Sequence, residues 1–166
     1  MHPAKLPVKT LLTECTVRRG RRSGPGGQHR NKVETAVQLV HDATGVGAEA
    51  TERRSQAANL RTAAFRLRVN LALKHRSGKV PPRTPSKIWI SRCVQGRLQG
   101  NPEHEDFPTL LAEALDSLHA VEMDVRKAAT YLQCTSSQLV KFLKLDPRAL
   151  KLVNDRRHQQ GATVYR

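Results

Sequence analysis

The run Ser23-Gly24-Pro25-Gly26-Gly27-Gln28-His29-Arg30-Asn31-Lys32 puts three glycines and a proline into the five residues 23–27. Neither type suits the interior of a helix or strand: glycine gives up too much backbone freedom, and proline lacks the N–H. The run is therefore a loop, and its tip is nearly bare backbone that can press close to another molecule. Gln28 follows the glycines with one neutral amide, and cations flank it: Arg18, Arg19, Arg21 and Arg22 before, Arg30 and Lys32 after. A bare tip carrying one amide between cations is suited to entering a polyanion, RNA foremost.

Short elements must hold such a loop. Residues 11–18 lean toward strand and feed it; residues 35–41, apolar and β-branched, give a second strand on its far side. Asp42-Ala43-Thr44-Gly45 is a turn signal, and residues 46–51 return as a third strand. Ser55 can cap the next helix, in which Leu60, Ala64, Leu67 and Leu71 recur at spacings of four, three and four. That stripe should pack on the sheet, leaving Arg61, Arg66, Arg68 and Lys74 to solvent or RNA. Gly78, Pro81, Pro82 and Pro85 end the helix.

The fold class expected is α+β: a small antiparallel sheet packed by a basic amphipathic helix, then a small all-helical module. Three segments follow: a loop-bearing domain over 1–80, a basic, proline-containing linker over 81–106 and a helical module over 107–166. Within the linker, Lys87-Ile88-Trp89-Ile90 is strand-like. Trp89, the only tryptophan, serves either as an apolar anchor or as a base-stacking platform, the anchor being preferred. In the module, Leu111, Leu115, Leu118 and Val121 form one helical stripe, and Ala128, Ala129 and Leu132 belong to a second helix. Thr135-Ser136-Ser137-Gln138 is a capping box for a third, and Asp146-Pro147 opens a fourth that should stop near Gly161. Lys127 to Leu145 has helix-turn-helix spacing, with Gln133 where such turns usually hold glycine. The reading preferred is a module that touches protein or RNA, or braces the first domain, rather than one that binds DNA.

The chain carries a net charge of +15 over 166 residues. Residues 1–102 hold 20 Lys and Arg against 5 Asp and Glu, whereas residues 103–166 hold 9 of each. The excess therefore lies with the loop, which solubility alone would not require. Cys15, Cys93 and Cys134 form no CxxC pair, so neither a disulfide framework nor a zinc site is expected, and a reducing, cytoplasmic compartment fits. No apolar run reaches transmembrane length. Neither HExxH, GxSxG nor a P-loop is present, and His104-Glu105-Asp106 reads as solvated linker, so no metal or cofactor is expected.

Gly26-Gly27-Gln28, in the context from Ser23 to Val37 and followed by Thr44-Gly45 and Glu52-Arg53-Arg54-Ser55-Gln56 ahead of a basic helix, resembles the catalytic motif of class I peptide chain release factors. The resemblance covers about residues 10–80. It implies a ribosome-dependent peptidyl-tRNA hydrolase with Gly26, Gly27 and Gln28 catalytic. It also implies contacts to RNA from Arg21, Arg22, His29, Arg30, Asn31, Lys32, Arg53, Arg54, Arg61 and Arg68. The partners implied are large-subunit ribosomal RNA at the peptidyl transferase centre and the peptidyl-tRNA in the P site. No membrane is implied, and an accessory protein could dock on the C-terminal helices.

Full-length factors of that family read stop codons through domains placed before the catalytic one. Here roughly twenty residues precede the loop, and Pro82-Arg83-Thr84 lies after it, the wrong order for a codon-reading tripeptide. The expectation is a stand-alone catalytic domain acting in ribosome rescue without a codon. A non-catalytic ribosome- or RNA-binding protein on the same scaffold is the alternative, and a transcription regulator built on the C-terminal helices is a weaker third.

Overall fold

A computed structural model of the chain describes residues 1–20, 35–78 and 84–165. They fall into two compact units, residues 1–75 and 76–166.

The first unit is a three-stranded antiparallel sheet under one long helix. Its elements are α1 (Val8–Thr13), β1 (Cys15–Gly20), β2 (Ala36–His41), β3 (Gly47–Ala50) and α2 (Gln56–Lys74), and the strands lie in the order β1-β2-β3. The register runs from Cys15 opposite His41 to Gly20 opposite Ala36, and β3 places Ala50 opposite Val37. Along β2 the buried residues are Val37, Leu39 and His41, every second position, and this is the face α2 covers together with β3. α2 contributes Ala64, Leu67 and Leu71 to that core. Burying each such leucine is worth roughly 2 kcal/mol. β1 is left as an edge, with four consecutive exposed residues from Thr16 to Arg19.

The expected cap of α2 is present: the Ser55 hydroxyl accepts a hydrogen bond from the Ala58 N–H at 3.3 Å. The turn at Thr44-Gly45 is present too. Both N–H groups bond the His41 carbonyl, and Gly45 has φ +67°, where glycine meets no steric cost. Residues 11–13 differ from expectation. They complete α1 rather than start a strand, because Leu11 turns inward and is fully buried while only Cys15 onward pairs with β2.

The second unit holds α3 (Lys87–Arg92), a hairpin of β4 (Cys93–Val94) and β5 (Arg97–Leu98), then α4 (Phe107–Ala120), α5 (Val125–Tyr131), α6 (Ser136–Leu143) and α7 (Pro147–Gln159). The strand-like piece Lys87–Ile90 is helical instead. Its alternation of isoleucines mimics a strand, but Ser86 caps the Trp89 N–H, and burial of Trp89 decides the conformation. Trp89 is the apolar anchor. It is fully buried, its Nε1 donates to the Leu132 carbonyl at 2.7 Å, and its ring meets Phe142 edge-on at 5.9 Å. Gln95 and Gly96, both at positive φ, make the two-residue hairpin turn. The expected caps of the last helices are in place: Thr135 Oγ1 accepts from Gln138 N, Asp146 accepts from Arg148 N, and Gly161 (φ +69°) follows the end of α7.

Candidate functional site

Residues 21–34 lie between the paired ends of β1 and β2. Gly20 and Ala36 are opposite one another in the ladder, so the two strands deliver both roots of the intervening chain to one edge of the sheet. Gly26, Gly27, Gln28, Arg21, Arg22, His29, Arg30, Asn31 and Lys32 lie outside the described residues. What is described is their mount.

Asn59, in the first turn of α2, is the central residue of that mount. It is fully buried. Its Nδ2 donates to the Thr35 carbonyl at 2.6 Å and to the Arg53 carbonyl at 2.9 Å, and its Oδ1 accepts from the Arg53 N–H at 2.9 Å. One side-chain amide thus joins the returning root of the loop to the segment before α2. All its bonds are to backbone, which fixes main-chain position whatever side chains stand there. Sequence reasoning did not find this residue. The available signal was an asparagine four residues after a capping serine, on the flank of an otherwise apolar stripe.

The same clamp places Arg53 and Arg54 beside the loop root, and both are exposed. Arg61 is exposed on α2. Arg66 is occupied, with Nη1 donating to the Glu49 carbonyl and pairing with Glu52 at 2.6 Å. A backbone N–H and Arg66 together hold the Glu52 carboxyl below its ordinary range, so it stays ionised.

Arg68 departs from expectation. It is only 8% exposed, and its Nε donates to the Ala4 carbonyl at 3.0 Å. Nine residues along α2 from Asn59, roughly 13 Å at 1.5 Å per residue, it fastens the N-terminal segment rather than facing outward. His2 helps there, its Nδ1 accepting from Ala4 N and its Nε2 lying 3.1 Å from the His75 carbonyl.

Two further groups brace the opposite end of the β1–β2 ladder. His41, only 2% exposed, sets Nδ1 at 2.9 Å from Thr44 Oγ1 and Nε2 at 3.3 Å from Glu14 Oε2. Asp42 accepts from both the N–H and the hydroxyl of Thr16. Cys15 lies between Glu14 and Thr16 on β1; burial first, then the charges of Asp42 and Glu14, push its thiol up to about 11. That shift favours the neutral thiol over the thiolate. Among the described residues no cluster of His, Cys, Asp and Glu could hold a metal ion, and no helix is long and apolar enough to cross a membrane.

The chain matches the RF-1 domain family over residues 8–95. It is 53% identical over 51 residues to the chloroplastic peptide chain release factor PrfB1 of Arabidopsis thaliana, covering 31% of this chain and 11% of that one. Against peptide chain release factor 1 of Xylella fastidiosa it is 40% identical over 77 residues, 46% of this chain and 19% of the relative. Against peptide chain release factor 1 of Mycoplasma pneumoniae the likeness runs over 154 residues at 27% identity, 93% of this chain and 39% of that one, and so reaches into the helical unit. The chain spans between about a tenth and two fifths of the length of these relatives. No solved structure matches. With an α+β unit whose paired strands flank the segment holding Gly26-Gly27-Gln28, and with the family domain running over more than half of its residues, the chain belongs to the RF-1 domain family, the catalytic domain of class I peptide chain release factors.

Proposed function

We propose that this chain is a ribosome-dependent peptidyl-tRNA hydrolase that frees nascent peptides from stalled ribosomes without reading a codon. The observation that carries the proposal is Gly26-Gly27-Gln28 on a loop rooted in a ladder whose returning strand is clamped by Asn59. Plain RNA binding gives no reason for a bare tip ending in an amide. The codon-independent part rests on Pro82-Arg83-Thr84, which stands on the C-terminal side of the loop domain, the wrong order for a codon-reading tripeptide.

The reaction is hydrolysis of the ester between peptide and tRNA. Water attacks the carbonyl carbon, a tetrahedral oxyanion forms, and the ribose oxygen leaves with a proton. Gly26 and Gly27 let the backbone approach the tRNA end without a Cβ in the way. The N–H of Gln28 donates to the developing oxyanion and the leaving oxygen, and its side chain confines the attacking position to a water. Arg21, Arg22, Arg30, Asn31 and Lys32, with Arg53, Arg54 and Arg61, hold ribosomal RNA phosphates and sugars and set the depth of entry. His29 adjoins the tip as one of these contacts. Work of this kind belongs in the cytoplasm and calls for neither metal nor cofactor.

The test is peptide release from ribosomes stalled on an mRNA lacking a stop codon, comparing the wild type with Gly27→Ala. Release by the wild type and its loss in the variant is the expected result. Ribosome binding with no release by either protein would replace the proposal with a non-catalytic ribosome-binding role. Release only when a stop codon is present would remove the codon-independent part.

A further inference from the structure

The electrical balance of residues 103–166 conceals a division. Residues 103–125 hold seven Asp and Glu and no Lys or Arg, whereas residues 126–166 hold nine Lys and Arg and two Asp. The structure uses the two sets differently. Asp106 pairs with Arg92 at 2.7 Å, Glu113 accepts from the Ser86 N–H at 2.7 Å, and Asp116 takes Ser77 Oγ at 2.8 Å and Arg76 at 3.3 Å. Asp124 and Asp146 cap α5 and α7. Most of the acids are spent inside the unit, whereas many of the cations point outward.

We propose that α5, α6 and α7 form a second RNA contact, taking the phosphate backbone of an RNA helix on the outward face of α6. On α6 and its C-cap, Ser137, Lys141 and Lys144 recur at spacings of four and three, opposite the buried Leu139, Phe142 and Leu143. Lys141 and Lys144 have no ion-pair partner among the described residues. Lys127 is 74% exposed and reaches Asp124 only at 3.9 Å. Lys151, also 74% exposed, pairs with the exposed Asp155, a contact that competes weakly with a phosphate. Arg126 and Arg156 are exposed as well.

The backbone supplies the second argument. α5 ends with the Cys134 N–H on the Ala129 carbonyl at 3.0 Å and with Gln133 at φ +55°, so the chain turns sharply into α6 as in a helix-turn-helix. In that arrangement the second helix offers its outward face to a groove. Hydroxyl and ammonium groups suit phosphates, and an RNA duplex keeps its major-groove base edges out of reach of side chains, so the contact is to backbone. The choice of RNA over DNA rests on the proposed work at the ribosome; the polyanion contact itself does not.

The experiment measures binding of a free RNA duplex of about sixteen base pairs, a span suited to a backbone-reading protein, by the full chain across a salt series. Lys141→Gln/Lys144→Gln should lower the slope of log affinity against log salt by about 1.8 and weaken binding roughly 10- to 100-fold near 0.1 M salt. Lys9→Gln, which removes an exposed charge from the first unit, should leave the slope unchanged. Both variants change exposed lysines, so the melting temperature should hold. An unchanged slope in the double variant overturns the proposal, as does an equal loss per charge in Lys9→Gln. A DNA duplex of the same length bound as tightly as the RNA overturns the assignment to RNA. Neither ribosomes nor ester cleavage enter the measurement, so a failed release assay leaves this result intact.

Discussion

The two units of this chain spend their polar groups in different ways. In the first, residues 1–75, buried polar side chains grip backbone: Asn59 holds Thr35 and Arg53, Arg68 holds Ala4, and His2 reaches His75. In the second, residues 76–166, carboxylates cap helices and hold arginines, with Trp89 bonded to Leu132 at the centre of the core. The first unit must present a loop from two strands and one helix, so its polar groups fix main chain where packing is thin. The second is a stack of helices whose ends need caps, and Asp124 and Asp146 supply two of them beside the hydroxyls of Ser86 and Thr135. Total charge reports neither arrangement, because it counts cations without saying which are already engaged.

The sharpest way to break the comparison is at Gln28. Gln28→Pro removes the backbone N–H and should reduce peptide release by roughly 100- to 1000-fold, the usual loss of one oxyanion donor. Gln28→Ala keeps that donor and should be much milder. Single-turnover release kinetics on stalled ribosomes separate the two variants. Proline at wild-type rate would discard the backbone-donor account. Thermal melting should be nearly unaffected in both.

Next in size is Asn59→Leu. The side chain is close in volume, but the Thr35 and Arg53 carbonyls and the Arg53 N–H lose their partner. Leaving buried groups unpaired costs about 1–3 kcal/mol, so the first unit should melt several degrees lower. Release should also slow, since the returning root of the loop is no longer fixed. A variant with lowered melting temperature and full release rate would mean that Asn59 serves stability alone. Trp89→Phe probes the matching position in the second unit. It deletes the bond to the Leu132 carbonyl and part of the ring, for a loss of about 1–2 kcal/mol. It should leave single-turnover chemistry at saturating protein unchanged.

The elements legible in the sequence are those with local signals. A capping Ser55, the Thr44-Gly45 turn, the box at Thr135 and the pair Asp146-Pro147 each announce a boundary within four residues of chain, and each stands where expected. What stayed hidden depends on burial, which contacts distant in sequence decide. Arg68 looks like any other cation of α2 until Ala4 arrives from 64 residues away. Asn59 looks like a surface amide until Thr35 is placed against it. Residues 87–90 alternate like a strand, yet Trp89 has to meet Phe142 and Leu132, and a helix turns it there. The neutral total for residues 103–166 concealed the acidic and basic stretches of the helical unit because a sum over many residues erases their order.

The smallest effect tests the turn between α5 and α6. Gln133 adopts φ +55°, a conformation that costs an L-residue about 1–2 kcal/mol relative to the ordinary helical region. Glycine would not bear that cost, but it has more freedom to lose on folding, worth about 0.4–1 kcal/mol against it. The side chain of Gln133 is exposed, so little packing is forfeited. The difference favours Gln133→Gly by about 0.5 kcal/mol, a rise of a few degrees at most in the melting of the second unit. The carbonyl of residue 133 still accepts from Cys93 Sγ at 3.4 Å, and the Schellman bond from Cys134 to Ala129 is kept, so α6 should hold its angle. Differential scanning calorimetry of the full chain reads the shift. A fall in stability would mean that the glutamine side chain contributes more than the left-handed backbone costs, and that this turn, unlike the Thr44-Gly45 turn of the first unit, is held by its side chain.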